Sequence, residues 1–110
     1  MRFSLILLSL CLGAICSSFG QGNIPQLREK LTSVSGQEKL IVLDDLAWEY
    51  SFANPDSSLH FAQSEEKLAL ELRDLEGQMK ATASLGRAYY VKGDLLKALQ
   101  CFEKAAAKGK

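Results

Sequence analysis

"TASLGRAYYVKGDLLKALQCFEKA", residues 82–105, is the stretch that decides the fold. Gly86 follows Leu85 inside a segment that otherwise has helical character. Glycine in a helix interior costs about 1 kcal/mol relative to alanine. A compensating gain is therefore needed, and close approach of a second helix supplies one. Gly93 suits the end of that first helix, and Asp94 suits the N-cap of the next. Ala98 and Phe102 follow on the second helix, one turn apart. Small residues facing each other let two axes approach to about 8–10 Å. Gly86 and Ala98 are expected to meet at the crossing, with Tyr89 and Phe102 filling the space above and below.

The pattern recurs upstream. Leu46, Ala47 and Tyr50 precede Leu85, Gly86 and Tyr89 by 39 residues each, and Ser58 and Ala62 precede Ala98 and Phe102 by 40. Self-similarity at such a period marks a stacked-helix solenoid. Apolar residues at 40, 43, 46, 47 and 50 have helical spacing over residues 38–52. Asn54 can cap the next helix, and Pro55 suits its first position. That helix is expected to run to about residue 74, with apolar positions 59, 62, 68, 69 and 72. Gly77 is read as the following break, with a helix from there to residue 92. Residues 24–34 can form a short helix with Pro25 in its first turn and Leu27, Leu31 and Val34 on one side. No run alternates as a strand does. The class is all-α: about five helices, arranged as antiparallel pairs with short turns.

The second copy resembles the tetratricopeptide repeat, which reads W-x2-L-G-x2-Y and then A-x3-F over a helix–turn–helix unit. Leu85, Gly86 and Tyr89 match the first part, Ala98 and Phe102 the second, and Ala105 takes the next small position. Thr82 stands where the family has its leading aromatic. The first copy is degenerate. Leu43, Leu46, Ala47 and Tyr50 fit, but Ser58 replaces the expected alanine and Ala62 the expected phenylalanine. Its turn is one residue shorter, and the repeat exceeds the usual 34 residues by about five. The resemblance covers residues 38–110. It implies a right-handed α-solenoid, with a lead-in and capping helix over 21–37, a long repeat over 38–76 and a second over 77–110. Longer repeats of this kind resemble those in exported bacterial sensor regions of histidine kinases and regulators.

A repeat stack leaves a concave surface lined by its first helices. The resemblance places Lys80, Ala83, Arg87, Tyr90 and Val91 on that surface in the second copy. In the first copy it places Ile41, Asp44, Trp48, Ser51 and Phe52 there. Trp48, Phe52, Lys80, Arg87 and Tyr90 are the candidate peptide-binding residues. Aromatics supply contact area, and Arg and Lys fix orientation. Trp48 and Phe52 lie one turn apart and share a face. The plainer alternative packs Trp48 against the 24–34 helix and leaves Lys80 and Arg87 as solvated surface. The family's carboxylate-clamp form needs Lys and Asn at defined groove positions. Asp44, Trp48 and Ala83 stand there instead, so that function is not supported.

The first twenty residues are of another kind. Arg2 precedes an uncharged apolar core, "LILLSLCLGAIC", residues 5–16, and Ser18 and Gly20 supply small residues after it. This is the form of a secretory signal peptide cut after Gly20, which implies export to the periplasm or beyond. The apolar run is shorter than the roughly 20 residues of a membrane span. A retained signal anchor is the alternative. Leu10 and Ile15 precede Cys11 and Cys16, where a lipid-modified cysteine wants a small residue. Cutting the leader leaves Cys101 alone. It is either a reactive or interchain-pairing thiol or a small apolar core residue, and its apolar helical setting favours the second.

Composition removes several function classes. Thirteen basic and thirteen acidic residues balance to no net charge and are interspersed, so nothing points to nucleic acid. His60 is the only histidine, which excludes a His-based metal cluster. A nucleophile–base pair of Cys101 and His60 lacks an orienting third group. Gly86 and Gly93 belong to the repeat and form no phosphate loop. "SEEK", residues 64–67, reads as a solvated helix face. The expectation is an interaction module for a protein or peptide, with no enzyme activity, cofactor or metal, and no membrane span in the mature chain. Stable solenoids normally need about three repeats. The helix bearing Leu95, Leu96, Leu99 and Phe102 presents an apolar face that predicts self-association, or a longer protein of which this chain is a part.

Overall fold

The computed structural model describes residues 23–109. The leader read over residues 1–20, with Cys11 and Cys16, lies outside them. Five helices follow one another: α1 (Ile24–Leu31), α2 (Gly36–Tyr50), α3 (Pro55–Glu71), α4 (Leu75–Lys92) and α5 (Leu95–Lys108). No strand occurs among the described residues. Each helix packs on the next, and α2 also touches α4. The fold is all-α with the consecutive packing of a helical repeat.

Local chemistry sets the boundaries. Three helices begin on a side-chain cap: the backbone N–H groups of Ser57, Gly77 and Lys97 donate to Asn54, Asp74 and Asp94 at 3.2, 3.0 and 3.2 Å. Pro55 occupies the first turn of α3, where its missing N–H removes no helical bond. α4 ends at Gly93, whose φ of 89° places it in the left-handed region.

The expected break at Gly77 is corrected. α3 stops at Glu71, and Arg73 takes the left-handed conformation with φ 54°. Asp74 then caps α4, so Gly77 lies in the first turn of that helix and is buried. A side chain at Gly77 is unfavourable for a different reason. A β-carbon there falls 2.7 Å from Cδ2 of Leu40 on α2. Two other ends differ by a few residues. α1 closes at Leu31, and α2 closes at Tyr50, so Phe52 lies in the turn.

Val42, Leu43, Leu46, Ala47, Phe61, Ala62 and Leu85 form the core, drawn from α2, α3 and α4. Leu27 and Leu31 of α1, Val34 just after it, Tyr50, Tyr89 and Cys101 pack against this cluster. Leu46, Ala47, Ala62 and Ala98 are buried as their spacing predicts, and Ala105 is half-buried. The close approach at Gly86 is present, with a different neighbour in contact. A β-carbon there meets the Phe102 ring, with Cε1 at 2.9 Å. Phe102 therefore lies directly over the glycine, while Ala98, one turn earlier on α5, is buried.

The first hairpin solves its crossing with hydroxyls. Ser58, where the repeat expects alanine, is fully buried and donates to the Ala47 carbonyl at 2.6 Å. Ser51 donates to the same carbonyl at 3.0 Å. Phe61, one position before the expected aromatic site, stacks on Tyr50 with ring centroids 5.5 Å apart. The missing aromatic at Ala62 is thus replaced from the adjacent position.

Candidate functional site

α2 and α4 touch, and beside their apolar contacts polar side chains meet across them. Ser84 donates to Oδ1 of Asp44 at 3.1 Å. Nε of Arg87 donates to the Ser51 hydroxyl at 3.0 Å. The same guanidinium lies over the Trp48 ring, 4.5 Å from its centroid. Burial pulls the Arg87 pKa down, opposed by the negative charges of Asp44 and Glu65. Trp48 remains 58% exposed. It makes a platform, and the guanidinium stacked on it is the type of pair that binding surfaces use.

The predicted groove residues divide. Trp48 and Arg87 come together directly, and Asp44 joins them through α4. Lys80 is exposed and pairs with Glu76, one turn earlier, at 3.5 Å. Phe52 and Tyr90 are exposed and stack on no other aromatic ring among the described residues. Ser51 is a correction: it is fully buried and supports Arg87 from below instead of lining the surface.

The reading of residues 64–67 as a solvated face is overturned at Glu65. This side chain is 1% exposed. As a carboxylate it finds no donor, and both oxygens lack a hydrogen-bond partner. Burial first, then the Asp44 charge, push its pKa up to about 9. A protonated Glu65 has a hydrogen to donate, and Asp44 is the acceptor at hand. The signal was available in the sequence: Ser58, Phe61, Ala62, Glu65 and Ala69 form one helical stripe, and all are buried.

Glu65 and Asp44 border a solvent-open cleft of about 380 Å³ between the N-terminal parts of α2 and α4. Asp45 and Glu76 add acidic groups to its lining, and Lys80 is its one basic residue. Burial, then the neighbouring Asp44, raise the pKa of Asp45. No group of three or more His, Cys, Asp or Glu residues is placed to hold a metal ion among the described residues.

Cys101 packs against the core, and burial raises its thiol pKa, which disfavours the thiolate. His60 is exposed and meets Phe61 edge-on at 5.3 Å. No helix among the described residues is long and apolar enough to cross a membrane. Comparison with protein-family models, curated proteins and solved structures finds no match.

Proposed function

We propose that this chain is an exported interaction module of tetratricopeptide type, binding a peptide or partner protein on the surface shared by α2 and α4. The same reading extends to a sensing role in signal transduction. One observation carries it: the exposed Trp48 ring with Arg87 stacked on it, joining the first helices of both repeats. Aromatic area and an oriented guanidinium are what peptide recognition requires. The inert setting of Cys101 and the isolation of His60 support a binding role over catalysis.

Trp48 is the only tryptophan, so its fluorescence reports directly on this surface. Peptides selected from a displayed random library on the full chain should shift that emission. They should lose binding in the Arg87→Ala variant. Enriched peptides that leave the emission unchanged and bind Arg87→Ala as well as the parent would refute the reading.

Self-association is the second reading, and α5 favours it. Leu95, Leu96 and Leu99 are all exposed on this helix, Leu96 by 68%. A second copy packed there would cover a contiguous apolar face. Light scattering on the eluting protein should then give a dimer that Leu96→Lys converts to a monomer. A monomeric parent at high concentration excludes it.

A further inference from the structure

We propose that the cleft between α2 and α4 is a receptor for a primary ammonium, the side chain of a lysine in the bound peptide, seated between Asp44 and Glu65. The proposal rests on the peptide-binding reading and names the residue that the peptide must bring.

Glu65 is the anchor. A carboxyl group buried to 1% exposure without a donor is costly unless something completes it. The chain's own cations do not. Lys80 lines the same cleft but is turned to Glu76. Arg87 is committed to Ser51 and to the Trp48 face. Neither forms an ion pair with Asp44 or Glu65 among the described residues. The place of a cation is left to a ligand.

The geometry selects the type of cation. The two carboxyl groups come from different helices, Asp44 from α2 and Glu65 from α3. A guanidinium binds best to one carboxylate through two parallel bonds in a plane. An ammonium has three rotatable donors and suits acceptors that converge from separate directions. Leu40 and Ile41 border the cleft and offer apolar contact to a lysine's methylene stem. Among the described residues no group of three or more ligating side chains gathers for a metal ion.

In the free protein a proton occupies the same role, held by Glu65 toward Asp44. An incoming ammonium displaces it, so one proton leaves for each lysine bound. The charged groups facing Glu65 are Asp44 from α2, and Lys80 and Arg87 from α4. Asp45, Asp74 and Glu76 also line the cleft. Affinity should therefore rise with pH, by up to about tenfold per unit between about pH 6 and pH 8.

The test uses n-butylammonium, a lysine side chain without its backbone. Titrated into the full chain and followed by NMR, it should shift the amides of Asp44, Glu65 and Gly77, whereas 1-butanol should not. Glu65→Gln keeps the shape of the protonated acid and should weaken binding by at least about tenfold. Should that variant fail to fold, Asp44→Asn, which retains an acceptor for Ser84, makes the same test. Equal responses to the alcohol, undiminished binding in the folded variant, or an affinity flat with pH would each overturn the proposal. Selected peptides that still bind after lysine is replaced by norleucine would sink it while leaving the groove reading intact.

Discussion

The two helix pairs close their seams by opposite means. In the pair α2–α3, hydroxyls do the work: Ser51 and Ser58 both donate to the Ala47 carbonyl, and the carboxyl of Glu65 lies buried a few turns away. In the pair α4–α5 the crossing itself is apolar, with the Phe102 ring seated on bare backbone at Gly86, while Lys108 Nζ donates to Gln78 Oε1 at 3.0 Å nearer the end of the pair. A hydroxyl seam tolerates a nearby polar group because donors and acceptors are present to satisfy it. A ring-on-glycine seam depends on shape alone. The polar cleft lies where α2 and Glu65 of the first pair meet the start of α4, and the second pair leaves leucines exposed on α5.

The apolar seam should be the easier one to break by adding volume. Gly86→Leu puts a β-carbon 2.9 Å from the Phe102 ring and three further carbons beyond it. Overpacking of this kind costs about 1–3 kcal/mol. For a domain of this size that is a fall in melting temperature of about 4–8 °C per kcal/mol. Gly86→Ala should cost less, because Phe102 is 43% exposed and its ring can swing outward, while alanine gains about 1 kcal/mol in helix propensity. Melting followed by circular dichroism checks both. An unchanged midpoint in Gly86→Leu would remove the shape argument for this seam.

The polar seam should instead be sensitive to pH. Unfolded, Glu65 loses its proton near 4.5; folded, near about 9. Between these values the folded state holds an extra proton, so stability falls as pH rises. The contribution is complete below about pH 4.5 and is lost progressively toward pH 9, with a slope of at most about 1.4 kcal/mol per unit. Asp45, also raised by burial, adds in the same direction. Glu65→Gln should flatten the decline of melting temperature between about pH 5 and pH 8 and melt higher than the parent at the upper end. Parallel curves for the two proteins would show that Glu65 ionises freely.

Much of this was legible before any coordinates. The all-α class, Asn54 and Asp94 as caps, the end of α4 at Gly93, and the burial of Leu46, Ala47, Leu85 and Ala98 follow from spacing and cap chemistry alone. What was missed has separate physical origins. Glu65 lies on a buried stripe, and its residue type outweighed periodicity in reading it, while the resemblance put Ser51 on the concave surface although it is buried. Phe61 stands one position before the aromatic site that the repeat spacing puts at Ala62, and its stacking on Tyr50 was not legible from that spacing. In the candidate site, sequence spacing placed Trp48 and Arg87 on first helices but held no information on their stacking. Contact across 39 positions depends on how α2 and α4 pack.

The last difference lies in two turns of the same construction. After α3 and after α4 the chain makes the same closure: Asp74 N–H donates to the Ala69 carbonyl at 3.0 Å, and Asp94 N–H to the Tyr89 carbonyl at 2.9 Å. Each closure passes through one left-handed residue, Arg73 in the first and Gly93 in the second. A side chain in that conformation costs about 1–2 kcal/mol, while glycine enters it freely but loses more entropy on folding. The break was expected at Gly77 because arginine gives no sign of a left-handed turn. Arg73→Gly should therefore stabilise the protein by about 0.5–1 kcal/mol, and Gly93→Ala should destabilise it by a similar amount. Urea unfolding of both variants measures the pair. Arg73 is exposed, so its side chain leaves little contact energy to lose. A loss of stability in Arg73→Gly would mean that this side chain contributes more than its exposure implies, and that the two turns are alike only in backbone.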